Sequence, residues 1–407
     1  MVDFRLSDEQ RMMKDMVHKF AAEKMRPLAD KYYRHGEYIP EEELDELIKQ
    51  ANELRLLDYY FPEDVGGVGI DDRITSCVIA EELAWGDAGI AVHLMASSLA
   101  AAAMQAMGSP EQWKELAAGF TNPNDEAKIP QIAAFGLTEP EAGSNVVAMK
   151  TTATRDGDEW VLRGNKTFIT NGGRADIYVI VAQTNPQAAS AMERATGLAG
   201  FIVRKGTKGL SHSEDFKKWG VLASNTTEVI LDDVRIPLED RLGGPDGRQG
   251  GGMVGVYATL EATRVGVAAN AVGIARAAHE AALAYAQQRT QKNKPIIQFQ
   301  AIGHKLADME VEINSARLLT WQAAWMDNSG LAMNRGEGSQ AKYKAGETAV
   351  KVCLDAIQIH GGYGFMKEYD VGRWLNDALI YRIWEGTAEI QKNTIARYLS
   401  AVSQSAN

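Results

Sequence analysis

The chain is 407 residues long, 45% hydrophobic and 24% charged, with a formal net charge of −11 and a pI near 5.3. That length and apolar share suffice for a large core and two or three subdomains, and the acidic balance argues against nucleic acid or an anionic membrane as the main partner. Cys77 and Cys353 stand far apart without metal-ligand spacing and read as reduced and structural, which favours an intracellular compartment.

Asp3 and Arg5 occupy the place where a signal peptide needs an apolar core, and no apolar run is expected to reach the length of a membrane span. Ser7 and Gln10 make a capping-box pattern ahead of Met13, Met16, Val17 and Phe20 at helical spacing, and Pro27 is expected to stop that helix. A second helix begins near Glu41, with Leu44, Leu47, Ile48, Ala51 and Leu54 on one face. Phe61-Pro62-Glu63-Asp64-Val65-Gly66-Gly67 is a cluster of breakers and reads as a turn. Apolar helices follow over 73–85 and 88–107; Gly108 ends the second, and Ser109-Pro110 opens a short third. The polar run 121–128 reads as a loop.

From residue 129 the period changes. Runs rich in β-formers at 132–137, 151–155, 160–163, 167–170, 177–182, 201–204 and 227–231 alternate with turn residues, and Gly164-Asn165 is expected to be a hairpin turn. From residue 252 the helical period returns: Met253, Val256, Tyr257, Leu260, Val267, Ala271, Ile274 and Ala278 mark one apolar stripe, and Arg264 falls on it. A buried guanidinium needs a partner, so Arg264 is either ion-paired with Glu261 one turn earlier or turned toward a ligand. Helices near 302–327, 339–360 and 388–400 complete a bundle. The expected fold is α+β: an N-terminal helical domain over 1–130, a central β-barrel or sandwich over 131–245, and a C-terminal four-helix bundle over 246–407.

Two stretches carry candidate chemistry. In the first, Glu385 lies between Trp384 and Gly386-Thr387. A carboxylate beside an indole can be partly desolvated, which raises its pKa toward that of a general base; equally, Thr387 can simply cap the helix that follows, with Glu385 solvated. In the second, Phe135-Gly136-Leu137-Thr138-Glu139-Pro140-Glu141-Ala142-Gly143-Ser144 leaves a strand for a small-residue turn, whose N–H groups and hydroxyls suit an anion or an electron-rich ring edge. No strand is followed by G-x-G-x-x-G and a helix, and the glycine cluster 243–252 lacks the Lys-Ser/Thr of a phosphate loop. The seven histidines show no metal spacing, and there is no Gly-x-Ser-x-Gly elbow.

Residues 381–397, Tyr-Arg-Ile-Trp-Glu-Gly-Thr onward, resemble the closing motif of the acyl-CoA dehydrogenase family, and nearly the whole chain follows that family's order and spacing. The resemblance implies an FAD enzyme that dehydrogenates an acyl-CoA to the 2-enoyl-CoA, in metabolism of the β-oxidation type. Glu385 would take the pro-R α-proton while the β-hydride passes to flavin N5 and the electrons go on to electron-transferring flavoprotein. Some branches carry the base on the long helix, before its Arg; here that position is Thr263, and Glu261 is displaced by about 200° around the helix, so Glu385 is the expected base.

Further roles follow from the same resemblance. Phe135, Leu137, Thr138, Gly143, Ser144, Phe168 and Thr170 would contact FAD, with Thr138 on the pyrimidine edge, Ser144 near the pyrophosphate and Thr170 on N5. Arg289, Gln291 and Gln300 would reach the FAD of a neighbouring subunit in a homotetramer. Gln358, Gly361, Gly362, Thr387 and Glu389 would complete the cofactor contacts. Met95, Ser144, Thr263, Arg264, Val267, Trp384 and Gly386 would bind substrate. No metal, nucleic acid or membrane partner is expected, and the expected location is the cytoplasm, or the mitochondrial matrix had a transit peptide been removed. The chain departs from the family at Phe168 for Trp, at Lys292-Asn293 for Phe-Gly, and at Asn145, Leu222 and Asn376. The rival readings are an acyl-CoA oxidase using O₂ and a non-enzymatic flavin or acyl-CoA binder.

Overall fold

The computed structural model describes residues 5–121, 131–247 and 251–405, with side chains through residue 400. Ser7 and Gln10 close the expected capping box at the start of α1 (Asp8–Phe20), each side chain accepting from the other's backbone N–H. Pro27 does not end the helix. A π-helical turn, Ala21–Met25, carries the backbone into α2 (Arg26–Tyr33), and Pro27 sits in the first turn of α2, where a missing N–H costs little.

α3 (Glu41–Glu53) follows, then α4 (Arg73–Gly86), whose start is capped by Asp72 accepting from the N–H of Ile74 and Thr75 at 3.1 and 3.0 Å. The expected helix over 88–107 is two, α5 (Ala88–Met95) and α6 (Ser97–Met107), joined at Ala96. Contrary to the sequence reading, this run is long and apolar enough to cross a membrane by length and composition, but the chain breaks it in two and much of it packs inside the protein. α7 (Pro110–Phe120) opens on the Ser109–Gln112 capping box. Beyond Thr121, the expected polar loop lies outside the described residues, as does part of the glycine cluster 243–252.

The central domain is one curled seven-stranded sheet. Its strands are β1 (Ala133–Gly136), β2 (Thr152–Asp156), β3 (Glu159–Thr170), β4 (Ile177–Gln183), β5 (Leu198–Arg204), β6 (Leu210–His212) and β7 (Thr226–Pro237), with a short helix α8 (Ala191–Thr196) before β5. The order is β1-β4-β2-β3-β7-β6, with β5 on β4; β1 runs parallel to β4, and β3 antiparallel to β2 and β7. Gly164-Asn165 is not a turn. β3 runs straight through it, and the hairpin falls earlier, at Gly157. What glycine serves at 164 is closeness: a Cβ there would lie 2.3 Å from Thr151 Oγ1. Register shifts between Leu162 and Gly164, and between Lys166 and Ile169, add the local twist that curls the sheet.

The C-terminal domain is built on the 37-residue helix α9 (Gly252–Gln288). The two-residue strands β8 (Thr290–Gln291) and β9 (Lys294–Pro295) turn the chain into α10 (Gln300–Asn328), followed by α11 (Glu337–His360). α9, α10 and α11 pack together, and α12 (Val371–Ile380), which the sequence reading passed over, and α13 (Ala388–Ser405) close the bundle on α11. α9 also lies along α4. A Cβ at Gly273 would stand 2.2 Å from the Glu81 carbonyl, so glycine lets the two helices meet there. Beside this contact Glu81 takes Arg276 at 2.9 Å and Arg317 at 2.9 Å, joining the first helical block to the last.

Candidate active site

The three blocks enclose a cavity of about 570 Å³ between α4–α6, the ends of β1 and β3, α9 and the turn before α13. Its wall brings together Glu385, Gly386, Thr387 and Trp384 from that turn, Thr263, Arg264 and Val267 from α9, and Met95 from α5. On the sheet side it takes Phe135, Leu137, Thr138, Gly143, Ser144, Phe168 and Thr170. Residues separated by up to 292 positions, Met95 and Thr387, thus share one space.

Glu385 is held in a turn that most side chains avoid. Its φ is +49° and that of Gly386 is +89°, two left-handed residues in succession. A left-handed non-glycine residue costs roughly 1–2 kcal/mol, and the surroundings impose it here. Gln391 Nε2 donates to the carbonyls of Glu385 (3.1 Å) and Gly386 (3.0 Å), and Lys342 Nζ donates to the Gly386 carbonyl at 2.8 Å. Gly346 allows this, because a Cβ there would meet the Tyr381 carbonyl at 2.7 Å and push α11 away.

The Glu385 carboxylate accepts a 2.7 Å hydrogen bond from Thr263 Oγ1. Loss of water raises its pKa above the usual range, while Thr263, Lys342 and Arg264 pull it back down. The capping half of the alternative reading holds as well, since Thr387 Oγ1 accepts from Ile390 N–H at 3.3 Å as a helix cap, but Glu385 is not left in open solvent. Trp384 packs edge-on against buried Tyr381, with ring centroids 4.9 Å apart.

Arg264 is buried, as its place on the stripe required, yet Glu261 is a loose partner at 3.7 Å with its own side chain largely in solvent. The nearer contact is Ser339 Oγ, which accepts from Nη1 at 3.3 Å; Nε is buried without a partner. Desolvation lowers the Arg264 pKa, and the balance of contacts favours the cavity-facing alternative over the simple ion pair.

On the sheet side, a buried pair that the sequence reading missed fixes the loop after β1. Lys166 Nζ donates to the Leu137 carbonyl (3.0 Å) and to Glu139 Oε1 (2.7 Å), and the Glu139 carboxylate also accepts from the N–H of Lys150 (2.6 Å) and Thr151 (2.9 Å). Thr167 N–H then bonds the Thr138 carbonyl at 2.9 Å, which joins the loop to β3. Phe168, at φ +58°, lies on the cavity wall with 67% of its surface uncovered, its ring 5.5 Å from that of Phe216. An exposed ring beside the hydroxyls of Thr138, Ser144 and Thr170, with open space at Gly143, fits a flat aromatic cofactor carrying polar edges.

Seven predicted residues do not line this cavity: Arg289, Gln291, Gln300, Gln358, Gly361, Gly362 and Glu389. Glu389 is exposed in the first turn of α13. The others gather where α9, α10 and α11 end or begin: Arg289 lies 5.9 Å from the Tyr363 ring, and His360 stacks on Tyr285 at 4.3 Å. The signal for Lys342 was its spacing: it stands four and seven residues before buried Gly346 and Ala349, a lysine on an otherwise apolar face.

Residues 7–122, 134–234 and 250–400 match the N-terminal, middle and C-terminal domains of acyl-CoA dehydrogenase. The probable acyl-CoA dehydrogenase YngJ of Bacillus subtilis is 39% identical over 98% of this chain and 100% of its own length. Butyryl-CoA dehydrogenase from Megasphaera elsdenii superposes with a TM-score of 0.87 at 36% identity, covering 98% of this chain and 100% of that one. A chain from a structure titled for the electron-transferring flavoprotein of Acidaminococcus fermentans matches at a TM-score of 0.88 and 35% identity, covering 98% and 99%.

Proposed function

This chain belongs to the acyl-CoA dehydrogenase family, and from that premise we propose that it converts an acyl-CoA to the 2-enoyl-CoA with Glu385 as the base and passes the electrons to electron-transferring flavoprotein. The protein is an oxidoreductase acting on acyl-CoA, with FAD as its cofactor. The observation that carries the assignment of the base is the Glu385 carboxylate, desolvated and hydrogen-bonded to Thr263, on the same cavity as the uncovered Phe168 ring.

Bound FAD supplies the hydride acceptor. Phe168, Thr138, Ser144 and Thr170 would hold it on the sheet side. Glu385 would then face the α-carbon of a substrate threaded past Trp384, Val267 and Met95, and its raised pKa makes it a stronger base for a weakly acidic proton than an ordinary carboxylate. The backbone N–H of Glu385, which donates no backbone hydrogen bond among the described residues, is available to the thioester oxygen, where negative charge gathers as the proton leaves. Apolar Met95 and Val267 favour an uncharged acyl chain. The cluster of Arg289, Gln291, Gln300 and Gly361-Gly362, away from this cavity, supports a homotetramer in which it reaches a neighbour's FAD; sedimentation of the yellow protein as a monomer would reject that assembly.

The test of the reaction is anaerobic. The purified yellow protein should bleach with a short straight-chain acyl-CoA and recolour on adding oxidised electron-transferring flavoprotein. Rapid recolouring in air alone would point to an oxidase, and no bleaching with any acyl-CoA would reduce the chain to a binding protein.

A further inference from the structure

Lys342 is the unused charge of this site. It projects from α11, is 1% exposed, and spends one hydrogen bond on the Gly386 carbonyl at 2.8 Å. A lysine is rarely buried this deeply unless its charge is matched, and among the described residues Lys342 Nζ bonds a backbone carbonyl and forms no carboxylate ion pair. The nearest compensation is electrostatic and comes from Glu385. The groups that act electrostatically on the pair are Thr263 and Arg264 from α9, Tyr381 from the end of α12, Glu347 from α11 itself and Glu389 from α13. Of these, Arg264 adds positive charge and Glu347 is engaged by Arg382 at 2.7 Å.

We propose that Lys342 is a positioning residue for the base: its buried ammonium ties down the Gly386 carbonyl, fixes the left-handed Glu385-Gly386 turn, and presents a positive charge to the Glu385 carboxylate. Resting on the assignment of Glu385 above, this explains how a carboxylate can be stripped of water and yet stay ionised enough to act. Desolvation alone would drive it to the neutral acid, and Lys342 is the larger of the two charges that oppose this. The same tether aims the Glu385 N–H, because the orientation of that peptide is set by the turn that Lys342 and Gln391 hold. Burial in turn brings Lys342 down to about 8, so its charge fades as pH rises past that value.

The decisive measurement is an infrared titration of the Glu385 carboxyl in the flavin-loaded protein, assigned by difference from Glu385→Gln. Lys342→Met should raise the midpoint by about one unit or more and lower kcat/KM by roughly tenfold at pH values below the midpoint, since one unit there is a tenfold change in the ionised fraction. Lys342→Arg should bring the midpoint back to within a few tenths of wild type. Lys342→Gln, which keeps a donor for Gly386 and guards against a misfolded Met variant, should shift the midpoint with KM little changed. A folded, yellow Lys342→Met or Lys342→Gln protein whose midpoint stays at the wild-type value would overturn the proposal, even if its melting temperature fell. Because the titration needs no turnover, it decides the role of Lys342 even if acyl-CoA bleaching fails, which would overturn the proposed function instead.

Discussion

The Thr263 hydroxyl and the Glu385 carboxylate, 122 residues apart in the chain, meet at 2.7 Å and tie the turn before α13 to the long helix α9. Thr263 bonds to the ionised form of Glu385, the proposed base, so removing it should make the proton harder to lose. Thr263→Val is expected to raise the acid limb of the kcat/KM profile by about one unit, in line with the roughly 1.5–3 kcal/mol of a hydrogen bond to a charged group. Rates on the alkaline plateau should change far less. A profile that falls uniformly at all pH values would assign Thr263 to substrate packing alone.

Glu385→Gln should keep its flavin colour and lose at least the 10²–10⁴-fold typical of general base catalysis. It should also be more stable than wild type near neutral pH. A carboxyl whose folded pKa is raised gives the folded state its advantage at low pH, and that advantage disappears as pH rises toward the folded pKa. Melting curves at pH 5 and pH 8 check the sign: the stabilisation by Gln belongs at pH 8.

The Lys166–Glu139 pair should matter more to flavin binding than to chemistry. Lys166→Met leaves the buried Glu139 carboxylate without its cation, and breaking such a pair typically costs about 3–5 kcal/mol. Urea unfolding should show that loss, and the FAD dissociation constant should rise as the 137–144 loop loosens. The double variant Lys166→Met with Glu139→Gln should recover part of the stability.

Asp377, which does not itself line the cavity, gives the fold a pH response. Its Oδ1 accepts from the Val221 N–H at 2.6 Å, joining α12 to the central domain, and burial, with nearby Asp87, lifts its pKa to about 7 despite Arg373. Because the folded pKa lies above the unfolded one, stability should decline between about pH 4 and pH 7. Asp377→Asn keeps an oxygen for Val221 and should flatten that slope, gaining on the order of 2–4 kcal/mol at pH 8. Chemical denaturation across that pH range would show an unchanged slope if Asp377 does not titrate there.

Local chemistry was legible in the sequence wherever the partners lie within one or two turns. The capping box at Ser7 and the helix start at Ser109-Pro110 formed as read, and the switch from helical to strand period marked the central sheet. The short motif around Glu385 identified the residue that the fold then stripped of water. Local rules failed where distant packing overruled them. Pro27 was absorbed by a π turn, and Gly164-Asn165 stayed within a strand because β7 pairs on both sides of it and Thr151 needs the space.

What only the tertiary structure decided is which groups face one another. Nothing near Glu385 in sequence points to Thr263 or Lys342, and nothing near Leu137 in sequence announces that Lys166 will bond its carbonyl. The physical reason is range. Propensity and capping act over a few residues, whereas a buried charge takes its partner from whatever element packs against it, and here glycines such as Gly346 let those elements come close. The sequence therefore determined the order of elements and singled out Glu385 as the acid to propose, and the folded structure determined which groups surround its carboxylate.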